Sequence, residues 1–267
     1  MARHRMEYAW RTDKGRVRSR NEDAVSVLPK LGLVVVADGI GGSMAGEVAS
    51  RLAVHVICES FRENPAPPSD REEALDNLRE TVEEADRLIW ESAQSSPRYT
   101  GMGTTVVVGY TNGEWLVYAH VGDSRIYRLR GGELVQLTRD HSLIQEVVDQ
   151  GFFPSLEDAL HYGINENIIT RGLGTSNSVR VDVNEVDLRA GDLFLFCSDG
   201  LSGMVRDDGL RRMLSAEGTD LEGIADGLVA LAMEGGGLDN ITLALARVYA
   251  FGEGFQPIER VQRFPRA

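Results

Sequence analysis

Four aspartates stand where apolar runs of this sequence break off. "LVVVADG" stops at Asp38, "YAHVGDS" at Asp123 and "LFLFCSDG" at Asp199, while "GGGLDN" sets Asp239 just ahead of the run "ITLALARVY". One aspartate beside glycine is ordinary turn chemistry, the side chain capping local backbone. Four of them, each at the end of a strand fit for a core, point to a shared carboxylate cluster. Two such charges about 4 Å apart repel by roughly 4 kcal/mol at an effective dielectric of about 20, a cost that divalent cations would turn into binding. Oxygen donors suit hard ions such as Mg²⁺, Mn²⁺ or Ca²⁺. Zinc would want His or Cys at short spacing, whereas His4, His55, His120, His141 and His161 are scattered and Cys58 and Cys197 form no C-x-x-C. Glycine beside the acids lets backbone carbonyls approach a metal.

Asp-rich magnesium sites most often handle phosphate, and "KGRVRSRNEDA" offers an anion partner: Arg16, Arg18 and Arg20, followed by the acids Glu22 and Asp23. In an extended segment, alternation puts the three arginines on one face, and an arginine fork grips a phosphate through two parallel hydrogen bonds. A solvated basic strand edge explains the pattern equally well. No covalent-nucleophile motif competes: G-x-S-x-G, C-x5-R and the P-loop are missing, and "GIGGSMAGE" lacks the P-loop lysine.

These groups need a scaffold. Val48, Leu52, Val56 and Phe61 fall near one helical face, and Leu75, Leu78, Val82, Ala85 and Ile89 near another, with the Pro-rich loop Asn64–Glu72 between them. Both helices are one-sided and must cover something. "TTVVVGYT", "EWLVYAHV", "RIYRLR", "VDVNEVDL", "DLFLFCS" and "ITLALARVY" are short and rich in strand formers, and "TNGE" and "RGGE" are hairpin signals. Consecutive hairpins predict mainly antiparallel sheet. Runs such as "LFLF" and "VVV" are apolar on both faces and so are covered on both sides. An α+β layered sandwich of sheets flanked by helices satisfies these demands. The last stretch, residues 251–267, reads as a tail docked through Phe255 or Phe264.

Composition bounds the rest. With 267 residues, 42% of them hydrophobic, the chain can bury a sizeable core. A net charge of −13 argues against nonspecific nucleic-acid or anionic-membrane binding. The two cysteines, each in an apolar pattern, read as buried reduced thiols. The basic N-terminus lacks the apolar centre of a signal peptide, and no apolar stretch approaches the roughly 20 residues of a membrane span. A cytoplasmic location is the expectation.

Taken in order, "RVRSRNEDA", "VVVADGIGGSMAGEVAS", "GTTVVV", "HVGDSRIYRLR", "LTRDHSL", "IITRGLG", "GDLFLFCSDGLS" and "DNITLALARV" resemble the metal-dependent PPM (type 2C) Ser/Thr protein phosphatase family, above all its stand-alone bacterial branch. Single motifs of this kind are weak; eight in order, over about Tyr8 to Tyr249, are specific. The resemblance implies one domain, residues 1–250, ahead of the tail, and a four-layer αββα sandwich of two antiparallel sheets between helical pairs. It implies two Mn²⁺ or Mg²⁺ ions bridged by Asp38, with the Gly39 carbonyl on one and Asp199 and Asp239 on the other. Asp123 resembles the acid that, with Asp199, holds a weaker third ion. Arg18, and not Arg16 or Arg20, falls at the phosphate-binding position. Glu22, reaching a metal through water, Asn240 and Thr104 fall just behind the ligands. The implied reaction is hydrolysis of phospho-Ser and phospho-Thr in proteins by a metal-bridging hydroxide attacking phosphorus in line, without a phosphoenzyme, by a monomer opposing a bacterial Ser/Thr kinase.

One departure stands out. Eukaryotic members commonly carry a histidine two residues after the bridging aspartate, and bacterial ones often a histidine after the glycine pair; here these positions are Ile40 and Ser43. Isoleucine donates no proton, which leaves the general acid unnamed, with His141 and His161 as weak candidates beside a purely structural role. Residues 150–171 fall at the family's variable flap. There Phe152, Phe153 and Tyr162 either meet a phosphopeptide or, the favoured expectation, pack the flap onto the core. Two rival readings are a silent phosphoprotein-binding relative, disfavoured by the complete acid set, and a partner-switching regulator, disfavoured by the lack of sensory domains.

Overall fold

Hairpins set the topology. The computed structural model describes residues 4–41, 45–64, 68 and 70–250. Its elements run β1 (Arg5–Asp13), β2 (Asp23–Leu28), β3 (Leu33–Ile40), α1 (Ala45–Glu63), α2 (Arg71–Ser95), β4 (Gly103–Thr104), β5 (Val106–Thr111), β6 (Trp115–Val121), β7 (Arg125–Arg130), β8 (Glu133–Gln136), α3 (Leu143–Asp149), α4 (Leu156–His161), β9 (Asp182–Asp187), β10 (Leu193–Cys197), α5 (Asp199–Ser202), α6 (Asp207–Leu214), α7 (Leu221–Glu234) and β11 (Ile241–Tyr249). Gly113 at φ 91° closes the β5–β6 hairpin, and Gly131 and Gly132 at φ 58° and 84° close β7–β8. One sheet has the order β1-β11-β10-β7-β8 and the other β2-β3-β5-β6-β9, with β4 beside β3. Every named pairing is antiparallel.

Alternation along two strands explains the layers. On β3, Leu33, Val35 and Ala37 face α1 and α2, while Val34 and Val36 face the other sheet. On β10, Leu193, Leu195 and Cys197 pack with Leu201, Leu210, Ile224 and Leu228 of the second helical layer, while Phe194 and Phe196 turn into the space between the sheets. The apolar-on-both-faces runs therefore belong to the inner layers of an αββα sandwich, as expected. Burying Phe194 and Phe196 contributes roughly 1.5–3 kcal/mol each. Gly109 is small for the same reason: a Cβ there would lie 2.5 Å from the Phe196 ring.

Helix α1 is rotated from its expected orientation. Ala49, Ala53, Ile57 and Cys58 are its buried stripe, and Val48, Leu52, Val56 and Phe61 flank it, partly buried. Small residues sit at the centre because α1 lies close to the sheet. Strands β1, β2 and β8 go beyond the runs marked out by the sequence. All three are sheet edges, where half-buried side chains leave a weak apolar signal. Cys58 and Cys197 are free and buried, as expected. Residues 251–267, with the expected docking of Phe255 or Phe264, lie outside the described residues, as does Ser43. Among the described residues no helix is long and apolar enough to cross a membrane.

Candidate active site

The four aspartates gather at one end of the sandwich, drawn from both sheets. Asp38 is not at a strand terminus, as the sequence suggested, but inside β3. It pairs with Asp23 of β2, and beyond it the partner changes from β5 to β4, with Gly39 opposite Thr104. Asp123 follows β6 in the turn to β7, Asp199 opens α5 after β10, and Asp239 precedes β11. The Asp38 and Asp199 carboxyl groups are close enough for each to shift the other's titration.

Crowding of like charge is felt throughout this group. Burial, and then the charges of Asp23, Asp199 and Asp123, hold the Asp38 carboxyl well above the usual range. Burial raises Asp123 to about 7, with Asp199 adding to the shift. Asp199 is raised by burial and by Asp239, against the opposing hydrogen bond from Asp38. Asp23, paired to Asp38, is raised by burial although Ser198 Oγ donates to its Oδ2 at 2.8 Å. One buried oxygen of each of Asp23, Asp123 and Asp199 has no hydrogen-bond partner. Buried carboxylate oxygens without donors are what hard divalent cations satisfy, so this set fits Mn²⁺ or Mg²⁺. Among the described residues, the donor atoms that close to within 4.8 Å of one another belong instead to His120, His141 and Asp182.

The expected substrate residue is in place. Arg18 Nη2 donates to Asp239 Oδ2 at 2.5 Å, and its guanidinium also feels Asp38 and Asp199. The segment around it is not the extended strand that alternation predicted. Residues 14–22 form a loop of bends, and the three arginines part company: Arg16 N–H donates to Gly237 O, while Arg20 Nη1 lies 4.0 Å from Glu47. Asn240 fastens this loop. Its Nδ2 donates to Lys14 O and Arg20 O at 2.9 and 2.8 Å, and its Oδ1 accepts from Glu22 N–H at 2.7 Å. Its own N–H donates to Asp239 Oδ1 at 2.8 Å. Burial, with Glu47 and Asp239 nearby, raises Glu22 against the pull of Arg18 and Arg20.

Thr104 is fully buried, and its Oγ1 donates to Asp38 O at 2.8 Å. Thr105, which sequence reasoning missed, does more. Its Oγ1 accepts from Asp38 N–H at 3.2 Å and lies 2.7 Å from Ser124 Oγ, tying Asp38 to the Asp123 turn. Gly39 is required by close approach: a Cβ there would fall 2.4 Å from Gly46 O and 2.6 Å from Glu22 O. Asp23 and Ser198 also went unassigned, because the register that sets Asp23 against Asp38 leaves no mark in either segment alone.

Ile40 is half-buried, with its Cδ1 against Gly172. Neither histidine candidate faces the carboxylates as an acid. His161 is exposed on α4 beside Tyr162. His141 is buried, its Nε2 directed at Asp182, and burial lowers it to about 4. The flap corrects its expectation as well: Phe152 and Tyr162 are 70% and 74% exposed rather than packed on the core, with Tyr162 against Phe153.

Known proteins resemble this chain in sequence and fold. The Protein phosphatase 2C family profile matches residues 14–222. The serine/threonine phosphatase stp of Listeria monocytogenes is 40% identical over 243 residues, 90% of this chain and 95% of that protein. The serine/threonine protein phosphatase PstP of Mycobacterium tuberculosis is 37% identical over 95% of this chain, which spans 47% of its length. The crystal structure of the PstP catalytic domain in complex with two manganese ions superposes with a TM-score of 0.80, at 36% identity over 91% of this chain and 98% of that one. The S. agalactiae serine/threonine phosphatase superposes at 0.84, also at 36% identity, over 91% of this chain and 99% of that chain.

Proposed function

The chain belongs to the protein phosphatase 2C family, and from that premise we propose how its site is divided among its residues. It is a serine/threonine phosphoprotein phosphatase, a phosphoric monoester hydrolase that uses two Mn²⁺ or Mg²⁺ ions and takes phosphorylated proteins as substrates. In this reading Asp38 would be shared by both ions, with the Gly39 carbonyl helping to hold one and Asp199 and Asp239 the other. Asp123 and Asp199 hold a weaker third. Two divalent ions held there would supply Lewis acidity, lowering the pKa of water near the phosphate and offsetting charge on the phosphoryl oxygens.

The protein's part is placement. The hydrogen bonds of Thr104 and Thr105 to the Asp38 backbone fix the bridging carboxylate on a rigid strand. Arg18, held at the cluster by the Asn240-fastened loop, grips the substrate phosphate. Its side chain is half exposed and free to turn from Asp239 to an incoming anion. Glu22, behind the ligands, would accept a hydrogen bond from a water held at the ions. With Ile40 apolar and the His141 proton held by Asp182, neither residue protonates the leaving serine or threonine oxygen. The chain acts as a monomer, and the two free buried thiols support a reducing cytoplasm. Residues 1–250 act as one domain, with 251–267 as a tail, and an opposing Ser/Thr kinase supplies the substrate.

The observation that carries this reading is the convergence of four aspartates with unpartnered buried oxygens on Asp123 and Asp199. Asp38→Asn and Asp239→Asn should each abolish Mn²⁺-dependent hydrolysis of p-nitrophenyl phosphate and of phospho-Ser and phospho-Thr peptides. Full activity of the unaltered chain in EDTA would overturn it.

A further inference from the structure

His141 is buried at the foot of the flap and makes two hydrogen bonds to a turn far from it in sequence. Its Nδ1 accepts from Gly122 N–H at 3.1 Å, and its own N–H donates to Gly122 O at 2.9 Å. A donor at Nδ1 fixes the tautomer: the lone pair lies there, and the proton sits on Nε2, 3.2 Å from Asp182 Oδ2. Asp182 is itself held by Arg171 Nη1 at 3.3 Å and Arg180 Nε at 3.5 Å. The ring stacks on His120 at 4.7 Å and 19°, and His120 Nε2 donates to Arg139 O at 2.8 Å.

The donor types of His120, His141 and Asp182 would suit a borderline metal, but the geometry does not favour one. Ligation through Nε2 would move the His141 proton to Nδ1, against Gly122 N–H, and Arg171 already sets a positive charge 3.2 Å from that nitrogen. The Gly122 backbone leads elsewhere. It has φ +104°, and a Cβ there would fall 2.6 Å from the Thr105 side chain. The next residue is Asp123, with its unpartnered buried oxygen. The Gly122 peptide is thus clamped between His141 and Thr105, and the direction of the Asp123 carboxylate follows from that clamp.

We propose that His141 is a positioning residue for Asp123: in the tautomer set by Gly122 N–H and held by Asp182, it fixes the Gly122 peptide and so orients the Asp123 carboxylate toward its cation. This rests on the reading of Asp123 as a ligand of the weaker third ion. The clamp also meets the flap, since His141 O accepts from Thr170 N–H at 2.8 Å and Leu143 N–H donates to Ile168 O at 2.8 Å.

The test is Mn²⁺ titration of the full chain by calorimetry and Mn²⁺ electron paramagnetic resonance, with Asp123→Asn, His141→Leu and His141→Asn. The unaltered chain should bind two ions tightly and one weakly, and Asp123→Asn should lose the weak one. His141→Leu, which fills the space but offers no acceptor, should weaken that third ion about tenfold or more with the tight pair unmoved. His141→Asn, whose Oδ1 stands in for Nδ1, should restore it to within about threefold. If Asp123→Asn keeps the weak ion, the ligand reading fails and the proposal with it. If Asp123→Asn loses that ion while His141→Leu binds it normally, the proposal alone fails. Equal losses in the leucine and asparagine variants also overturn it. Should His141→Leu not fold, ¹⁵N NMR of the unaltered chain decides: a protonated Nε2 and bare Nδ1 on His141 support the clamp, and the reverse tautomer refutes it.

Discussion

Replacing Asn240 with alanine should unfasten the loop that carries Arg18 and Glu22. The side chain is buried and spends its polar atoms on that loop, with two donated bonds to Lys14 and Arg20 carbonyls and one accepted from Glu22 N–H. Each bond is worth about 1 kcal/mol net, and more where the partner left behind stays buried. Three bonds give about 3 kcal/mol, or about 100-fold in the equilibrium between closed and open loop at 1.4 kcal/mol per decade. The loss is local, because the apolar layers do not depend on this contact. Hydrogen exchange is the assay: the Glu22 and Arg16 amides should exchange about 100-fold faster while those of β10 and α7 keep their protection. The KM for phosphopeptides should rise as Arg18 loses its fixed place. Asn240→Asp should not rescue, since it keeps the acceptor for Glu22 N–H but turns a carboxylate on two carbonyls. Lost activity with unchanged exchange at Glu22 would refute the reasoning.

Arg18→Ala should raise KM for phosphopeptides about tenfold or more, with kcat less affected, since a charge-assisted contact worth about 1.5–3 kcal/mol acts on ground and transition states alike; an unchanged KM removes Arg18 from the phosphate site. The same variant should shift stability by less than about 1 kcal/mol in chemical denaturation, because the Arg18–Asp239 pair is half exposed. Gly39→Ala sets a methyl against the backbones of Gly46 and Glu22, contacts that no side-chain rotation relieves; a loss of about 1–3 kcal/mol or more in the denaturation midpoint is expected, with weaker Mn²⁺ binding. Burial holds folded His141 at about 4, below its unfolded value of about 6.5, so the unfolded chain takes up the proton first as pH falls. Relative to His141→Asn, the unaltered chain should therefore lose about 1.4 kcal/mol per pH unit between about 6.5 and 4. Urea midpoints of both at pH 7.5 and 5 check this, and a gap that moves the other way contradicts it.

The inner layers were legible because they are apolar on both faces, as "VVV" and "LFLF" are, and because Asn112-Gly113 and Gly131-Gly132 mark their hairpins. Three of the four edges were not: β1, β2 and β8 each pair on one side only and carry mixed faces. Asp38, Asp199 and Asp239 could be found one by one, since a charged residue at the end of a buried run asks for an explanation. Asp23, Thr105 and Ser198 could not, because what makes them part of the site is register and contact across the sheets. The arginine segment failed for a related reason. Alternation presumes a strand, and Gly15 at φ 76°, whose Cβ would lie 2.1 Å from Asp239 O, commits that segment to a tight loop.

The two sheets meet through apolar side chains, Val34, Val36, Phe194 and Phe196 among them, contacts that carry no directional bond from one layer to the other. The carboxylates lie at one end only, Asp38 and Asp123 on one layer and Asp199 and Asp239 on the other. Cations shared between them would act as a rivet at that end, leaving the far end to shear. Pulled in an optical trap along the strand direction, the chain should be stiffer and rupture at higher force in Mn²⁺ than in EDTA, so that the ions that serve chemistry also set the mechanical grain of the fold.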